Sequence, residues 1–194
     1  MSLKTLVDNN LTDKERSHRY LDLYENLLNK KQFTAKYVLE VGIGDFNLKN
    51  GGSIKLWRDY FKNATIFGLD ILNIDRVIDE LRYDDRVKLL TSIDAYDKSF
   101  FENNILNLNI KFDFLLDDGP HTLESIIQFV KLYSQVLSED GILVIEDVQK
   151  MEYIDHLKEA VPENLKPYIK LYDLRHLSYC SDNIVFTIDK TISI

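Results

Sequence analysis

Asp117-Asp118-Gly119-Pro120-His121 and Glu146-Asp147 put four carboxylates and one imidazole into two short segments of a 194-residue chain. Each segment sits where an apolar run ends. Phe112-Asp113-Phe114-Leu115-Leu116 leads into the first, and Ile142-Leu143-Val144-Ile145 leads into the second. In an open α/β sheet, ligands bind beyond the carboxyl ends of the strands. Asp118, Glu146 and Asp147 offer oxygen donors only, a set that suits magnesium, which prefers octahedral oxygen coordination and keeps places for water or substrate. A bound divalent cation lowers the pKa of a hydroxyl on it, as it does for water. His121 would supply the base. It follows Pro120, a residue favoured in the first turn of a helix, so its ring is expected near a helix N-terminus, where the dipole favours neutral imidazole. Asp118 and His121 are therefore the expected catalytic pair. Acids after strands also serve as helix caps, which would account for Asp117 or Asp118 alone. It accounts less well for Glu146-Asp147, which brings two charges together after an all-apolar strand.

A second set of residues suits a nucleotide. Glu40-Val41-Gly42-Ile43-Gly44 ends the first apolar run, and glycines there let the backbone approach a ligand closely. The dinucleotide fingerprint Gly-x-Gly-x-x-Gly is not completed, because Asn47 stands at the third position; this argues against NAD. Glu40 instead fits the acidic-x-Gly-x-Gly pattern of S-adenosylmethionine enzymes. Asp70 ends the second run, where an acid can accept both ribose hydroxyls or cap a helix; the upstream glycines favour the ribose. Asp94 and Ala95 stand where an adenine edge would lie, although Asp94 and Asp97 also suit turns or caps.

The elements that must position these groups alternate. Thr12-Asp13-Lys14-Glu15 reads as a capping box opening a helix over 12–30, with Tyr20, Leu23, Tyr24, Leu27 and Leu28 on one apolar face. Strands are predicted at 37–41, 64–69, 87–90, 112–116 and 141–145. Helices are predicted at 52–61, at 123–137 on Leu123, Ile126, Ile127, Val130, Tyr133 and Leu137, and at 150–160. Two late strands, 169–171 and 184–188, are joined too closely for a helix between them, which implies an antiparallel hairpin. The fold class is α/β: a Rossmann-like, doubly wound, mostly parallel seven-stranded sheet with a C-terminal antiparallel β-hairpin. Trp57, Tyr60, Phe61, Tyr20 and Tyr24 read as core or pocket wall, and the charges from Asp79 to Arg86 as a solvated face. His18 lines the pocket or packs; His156 reads as a surface residue, and His176 carries little case for a role.

At 45% hydrophobic and 29% charged, the chain suits a single domain over 1–194. A formal net charge of −8 disfavours nucleic acid, whose phosphates need a basic surface. Cys180 is the only cysteine, so no intrachain disulfide forms, as expected in a reducing compartment. No apolar run approaches the roughly 20 residues of a membrane span, and a signal-peptide core is not evident. A cytoplasmic protein is expected.

Five motifs recur in a known order: Glu40–Gly44, Gly51-Gly-Ser-Ile-Lys-Leu-Trp57, Gly68-Leu-Asp-Ile71, Asp117–His121 and Gly141–Val148. With Asp13-Lys14, His18, Tyr20 and Tyr24 ahead of them, they resemble the metal-dependent sugar O-methyltransferases of macrolide biosynthesis and their cephalosporin-hydroxylase-like and rhamnosyl O-methyltransferase relatives. The likeness covers about residues 12–150; Pro120 stands where that group usually has Ser. The resemblance implies S-adenosylmethionine near Glu40, Gly42, Gly44, Ser53, Asp70 and Asp94, with Ala95 and Asp117 on the same side. It implies magnesium at Asp118, Glu146 and Asp147, a base at His121, a sugar-bearing acceptor and a homo-oligomer. An NAD oxidoreductase, a metal-independent small-molecule methyltransferase and a non-catalytic nucleotide-binding module are the rival readings.

Overall fold

The structure, a computed structural model, describes residues 1–44, 49–177 and 179–192. Asn47, at the third position of the glycine loop, lies outside the described residues. Seven strands, β1 (Tyr37–Val41), β2 (Thr65–Leu69), β3 (Val87–Leu90), β4 (Phe112–Asp117), β5 (Leu137–Ile145), β6 (Ile169–Asp173) and β7 (Ile184–Asp189), form one sheet of order β3-β2-β1-β4-β5-β7-β6. The first five run parallel, and β7 enters antiparallel between β5 and β6. This is the doubly wound, mostly parallel sheet with a terminal antiparallel pair that the alternation predicts. The strand order reverses between β1 and β4, the topological switch point where such sheets bind ligands.

Among the described residues, seven helices cover the two faces: α1 (Leu3–Leu6), α2 (Leu21–Leu28), α3 (Gly52–Tyr60), α4 (Asp79–Arg82), α5 (Lys98–Asn104), α6 (Leu123–Tyr133) and α7 (Tyr153–Ala160). Residues of α1 to α4 pack with Val38, Ile66, Phe114, Leu116, Ile142 and Val144 on one face. Those of α5, α6 and α7 pack with Leu39, Phe67, Leu115 and Leu143 on the other. Each fully buried Leu, Ile, Val or Phe contributes about 1.5–3 kcal/mol through burial. Because both faces are covered, the strands read as continuous apolar runs rather than as alternations.

Three sequence readings of element ends are corrected. The capping box does not form: Thr12 Oγ1 accepts only weakly from Lys14 N at 3.5 Å, Glu15 lies 3.5 Å from Lys4, and helix α2 starts at Leu21. Arg19 has φ of +57°, a left-handed conformation that no α-helix accommodates, so residues 12–20 run as a turn-rich strap. At the other element, α6 stops at Tyr133 and a tight turn at Ser134–Val136 follows, so Leu137 opens β5 instead of closing the helix. The true N-cap of α6 is Thr122, whose side chain accepts from Ser125 N. Pro120 and His121 therefore precede the helix rather than form its first turn.

Candidate active site

Residues two apart in a strand share a face. Glu40 follows Val38 in β1, Asp118 follows Phe114 and Leu116 beyond β4, and Glu146 follows Ile142 and Val144 beyond β5. The register aligns Glu40 with Leu116 and Leu116 with Val144. The sequence thereby sends three carboxylates to one side of the sheet at its carboxyl edge. Glu40 and Glu146 are buried there, an arrangement that needs a counter-charge.

Lys14 supplies it. This buried lysine of the strap places Nζ 2.7 Å from Asp118 Oδ2, in hydrogen-bond contact with Glu146 Oε2, and 3.6 Å from Glu40 Oε1. Burial opposes its charge, but Asp118, Glu146 and Glu40 outweigh burial and hold its pKa well above the ordinary value. Burial raises Glu40 to about 7, with Lys14 opposing the rise; burial likewise raises Asp118 and Glu146. Trp57 Nε1 donates to Glu40 at 2.9 Å, and Tyr24 OH donates to Glu146 at 2.7 Å. Tyr20 OH donates to Asp147. The rings of Tyr20, Tyr24 and Trp57 belong to the core as predicted, and their polar ends hold the acids, a part the sequence reading did not assign them.

The acids predicted to hold a metal are divided by the geometry. Donor atoms of Asp118, His121 and Asp147 lie within 4.8 Å of one another. His121 Nε2 is 3.7 Å from Asp118 Oδ1 and 3.8 Å from Asp147 Oδ2. Glu146 turns inward to Lys14 and Tyr24. His121 and Asp147 take φ of +53° and +51°, a conformation that costs a non-glycine residue about 1 kcal/mol or more and clusters at functional sites. Asp147 is pulled below the usual carboxylate range: burial opposes this, and the hydrogen bond and charge of His18 prevail. His18 bridges Asp147 at 3.2 Å and Asp13 at 3.4 Å. Burial would lower its pKa, but these partners push it up to about 11. His156 and His176 are exposed.

Two cavities meet at Gly44, Asp118 and Gly119. The first, about 680 Å³, is lined by the predicted donor residues Gly42, Gly44, Asp70, Asp94 and Ala95, together with Tyr96. The second, about 670 Å³, is lined by Asp13, Arg16, Ser53, His121 and Asp147. Ser53 thus faces the second cavity, and Glu40 and Asp117 line neither. Asp117 is buried, accepts from Tyr96 OH, and is raised by burial to about 7. Asp70 caps no helix. Its Oδ2 accepts from Ile43 N at 2.7 Å and its Oδ1 from Leu72 N at 2.8 Å, which fixes the carboxylate at the wall of the first cavity. Asp97 caps α5, whereas Asp94 accepts from Tyr96 N in a turn. Gly42 is required at its position: its φ is +83°, and a Cβ there would lie 2.0 Å from the Asp118 carbonyl oxygen.

A cavity at the switch point, joined through an acid–histidine junction to a second cavity, on a sheet ending β5-β7-β6, defines a Rossmann-like methyltransferase fold. The MycE methyltransferase of the mycinamycin biosynthetic pathway, solved with magnesium and SAH, superposes with a TM-score of 0.69 at 20% identity, covering 89% of this chain and 49% of that one. The 8-demethyl-8-(2-methoxy-alpha-L-rhamnosyl)-tetracenomycin-C 3'-O-methyltransferase of Streptomyces olivaceus is 30% identical over 133 residues, 68% of this chain and 32% of that enzyme. The mycinamicin VI 2''-O-methyltransferase of Micromonospora griseorubida is 33% identical over 114 residues, 57% of this chain and 27% of that enzyme. The chain is a homologue of the sugar O-methyltransferases that these relatives represent, and it spans about a third of their length. No protein-family model matches it.

Proposed function

We propose that the chain transfers a methyl group from S-adenosylmethionine to a sugar hydroxyl on a glycan, nucleotide sugar or glycosylated metabolite. The observation that carries this reading is the junction of Asp118, His121 and Asp147 between the two cavities. The first cavity would hold the donor, with Asp70 at the ribose and Asp94 and Ala95 beside the adenine. The second would hold the acceptor. Asp118 and Asp147 fit a hard divalent ion: they offer oxygens on either side of the junction, and magnesium accepts few protein ligands. Glu146 would reach such an ion only by leaving Lys14. The ion would make the acceptor hydroxyl more acidic.

The chain's own residues do the rest. His121 Nε2 takes the proton from the hydroxyl. The oxygen then forms its bond to the methyl carbon as the carbon–sulfur bond breaks, leaving S-adenosylhomocysteine as a neutral thioether. Holding both substrates in adjoining cavities supplies the proximity on which such a transfer depends. Glu40 supports this centre through Lys14, which it shares with Asp118, Ser53 through its hydrogen bond to Glu40, and Asp117 through Tyr96 at the wall of the first cavity. The same proposal includes a single domain over 1–194, with the strap and α2 completing the site. It also includes cytoplasmic operation, supported by the single cysteine, and a homo-oligomer, supported by the family resemblance. No described helix is long and apolar enough to cross a membrane.

His121→Ala tests the reading. Loss of a general base typically costs about 10²–10⁴ in rate, while calorimetric binding of S-adenosylhomocysteine should survive. Turnover at the wild-type rate would remove His121 from the mechanism. Chelator should abolish activity and magnesium should restore it; indifference to both would favour the metal-independent alternative.

A further inference from the structure

We infer a second cation site, of softer chemistry than the first, built from His18, Cys180 and Asp182. A ring nitrogen of His18, the Cys180 sulfur and a carboxylate oxygen of Asp182 lie within 4.8 Å of one another. They come from two segments that meet only in the folded chain: the strap before α2, and the connection between β6 and β7. A tetrahedral zinc shell, with bonds of about 2.0–2.3 Å, sets its donors about 3.3–3.8 Å apart. Closing the observed spacing takes about 1 Å of side-chain rotation.

The histidine is prepared for this role by a separate set of contacts. Asn183 is fully buried. Its Nδ2 donates to the His18 carbonyl at 2.8 Å and to the Leu174 carbonyl at 3.3 Å. That fixes the amide orientation, so its Oδ1 must accept, and it does so from His18 Nδ1 at 2.7 Å. Metal-binding histidines characteristically donate their second ring N–H in this way, which fixes the tautomer and leaves the other nitrogen to the ion. Here that nitrogen is Nε2, and Asp13 Oδ2 lies 3.4 Å from it. Asp13 does not converge with Cys180 and Asp182, so the ion would have three protein donors, with water in the fourth position of an open shell.

A nitrogen, a sulfur and a carboxylate oxygen suit zinc or another borderline transition metal, whereas thiolate is a poor partner for magnesium. On binding, the Cys180 thiol releases its proton to solvent, His18 likewise gives up the Nε2 proton that faces Asp13, and the sulfur and the freed nitrogen bond to the ion. The ion would fasten the strap, including Asp13 at the wall of the second cavity, to the β6–β7 connection. His18 also contacts Asp147, so the clamp would steady one side of the junction.

The test uses the full chain, stripped of metal and saturated with magnesium, then titrated with cobalt(II). One equivalent should produce a near-ultraviolet sulfur-to-cobalt band that zinc bleaches and that Cys180→Ser lacks. Because Cys180 is the only cysteine, alkylation reports on it alone. With free zinc at a hundred times its dissociation constant, alkylation should slow about a hundredfold, following the unliganded fraction, and Asp182→Ala should remove most of that protection. Cobalt binding without a sulfur band, or alkylation indifferent to zinc, overturns the inference. Neither readout depends on methyl transfer, so failure here leaves the proposed activity standing.

Discussion

Replacing Lys14 by methionine keeps the bulk of the side chain and removes its ammonium. The three carboxylates it serves, Glu40, Asp118 and Glu146, would then face one another without a cation. Removing one partner of a buried ion pair typically costs about 3–5 kcal/mol. The loss should depend on pH, with a definite sign. Glu40 is raised by burial from 4.5 to about 7 while Lys14 holds it down, so deleting Lys14 raises it further. A carboxyl with a raised folded pKa contributes stability that is full below its unfolded pKa and is lost as pH rises through its folded pKa. In the wild type that loss, for Glu40, runs from 4.5 to about 7; in the variant it continues above neutrality. The gap between the two proteins therefore widens above pH 7, by about 1.4 kcal/mol per pH unit for each carboxyl still taking up a proton on folding. Asp118 and Glu146, raised by burial and held down by Lys14, act in the same direction. Urea denaturation of both proteins in chelator at about pH 6 and pH 8 measures the gap, which should be larger at the higher pH by about 1.4 kcal/mol or more. A loss below about 1 kcal/mol, the range of an exposed pair, or an equal loss at both pH values, refutes the assignment of Lys14 as the counter-charge.

Two further substitutions probe the same scaffold. Trp57→Phe removes the donor to Glu40 Oε2 with little change in packing; it should cost about 1.5–3 kcal/mol, the worth of a hydrogen bond to a charged group, and denaturation midpoints unchanged from wild type would show that the indole N–H is idle. Gly42→Ala meets both a left-handed backbone and the Asp118 carbonyl; it should cost more than about 1 kcal/mol and weaken calorimetric binding of S-adenosylhomocysteine, whereas wild-type affinity would place the donor elsewhere.

The strands were legible because each is an apolar run closed by a polar residue or a glycine, and so were the acids beyond them. The side of the sheet to which each acid turns was not. In β1, Val38 and Leu39 are equally apolar because helices cover both faces, so no alternation marks Glu40 as belonging with Asp118 and Glu146 rather than with the donor cavity. The part played by Lys14 was hidden for a different reason: inside a segment read as a capping box, a lysine has no assigned partner. The available signal was electrostatic, since acids converging at one strand edge leave a deficit of positive charge that some residue must meet. The strap itself was misread as helix because Thr12 and Glu15 have capping-box spacing, and nothing local announces the left-handed Arg19.

Asp118 and Asp147 show how this strap bears on chemistry. Asp118 gives Oδ2 to Lys14 and turns Oδ1 toward His121. Asp147 gives Oδ1 to Tyr20 and His18 and turns Oδ2 toward His121. Each carboxylate therefore has one oxygen held by the strap and one presented at the junction of the cavities. Groups fixed before reaction need no reorganisation while charge moves, and a site holds its geometry only as well as the residues behind it. The strap supplies Lys14, His18 and Tyr20, so loosening it should degrade both acids together even though the β4 and β5 ends stay in place. Its position at the wall of the second cavity, through Asp13 and Arg16, joins acceptor contact to alignment of the acids in one segment.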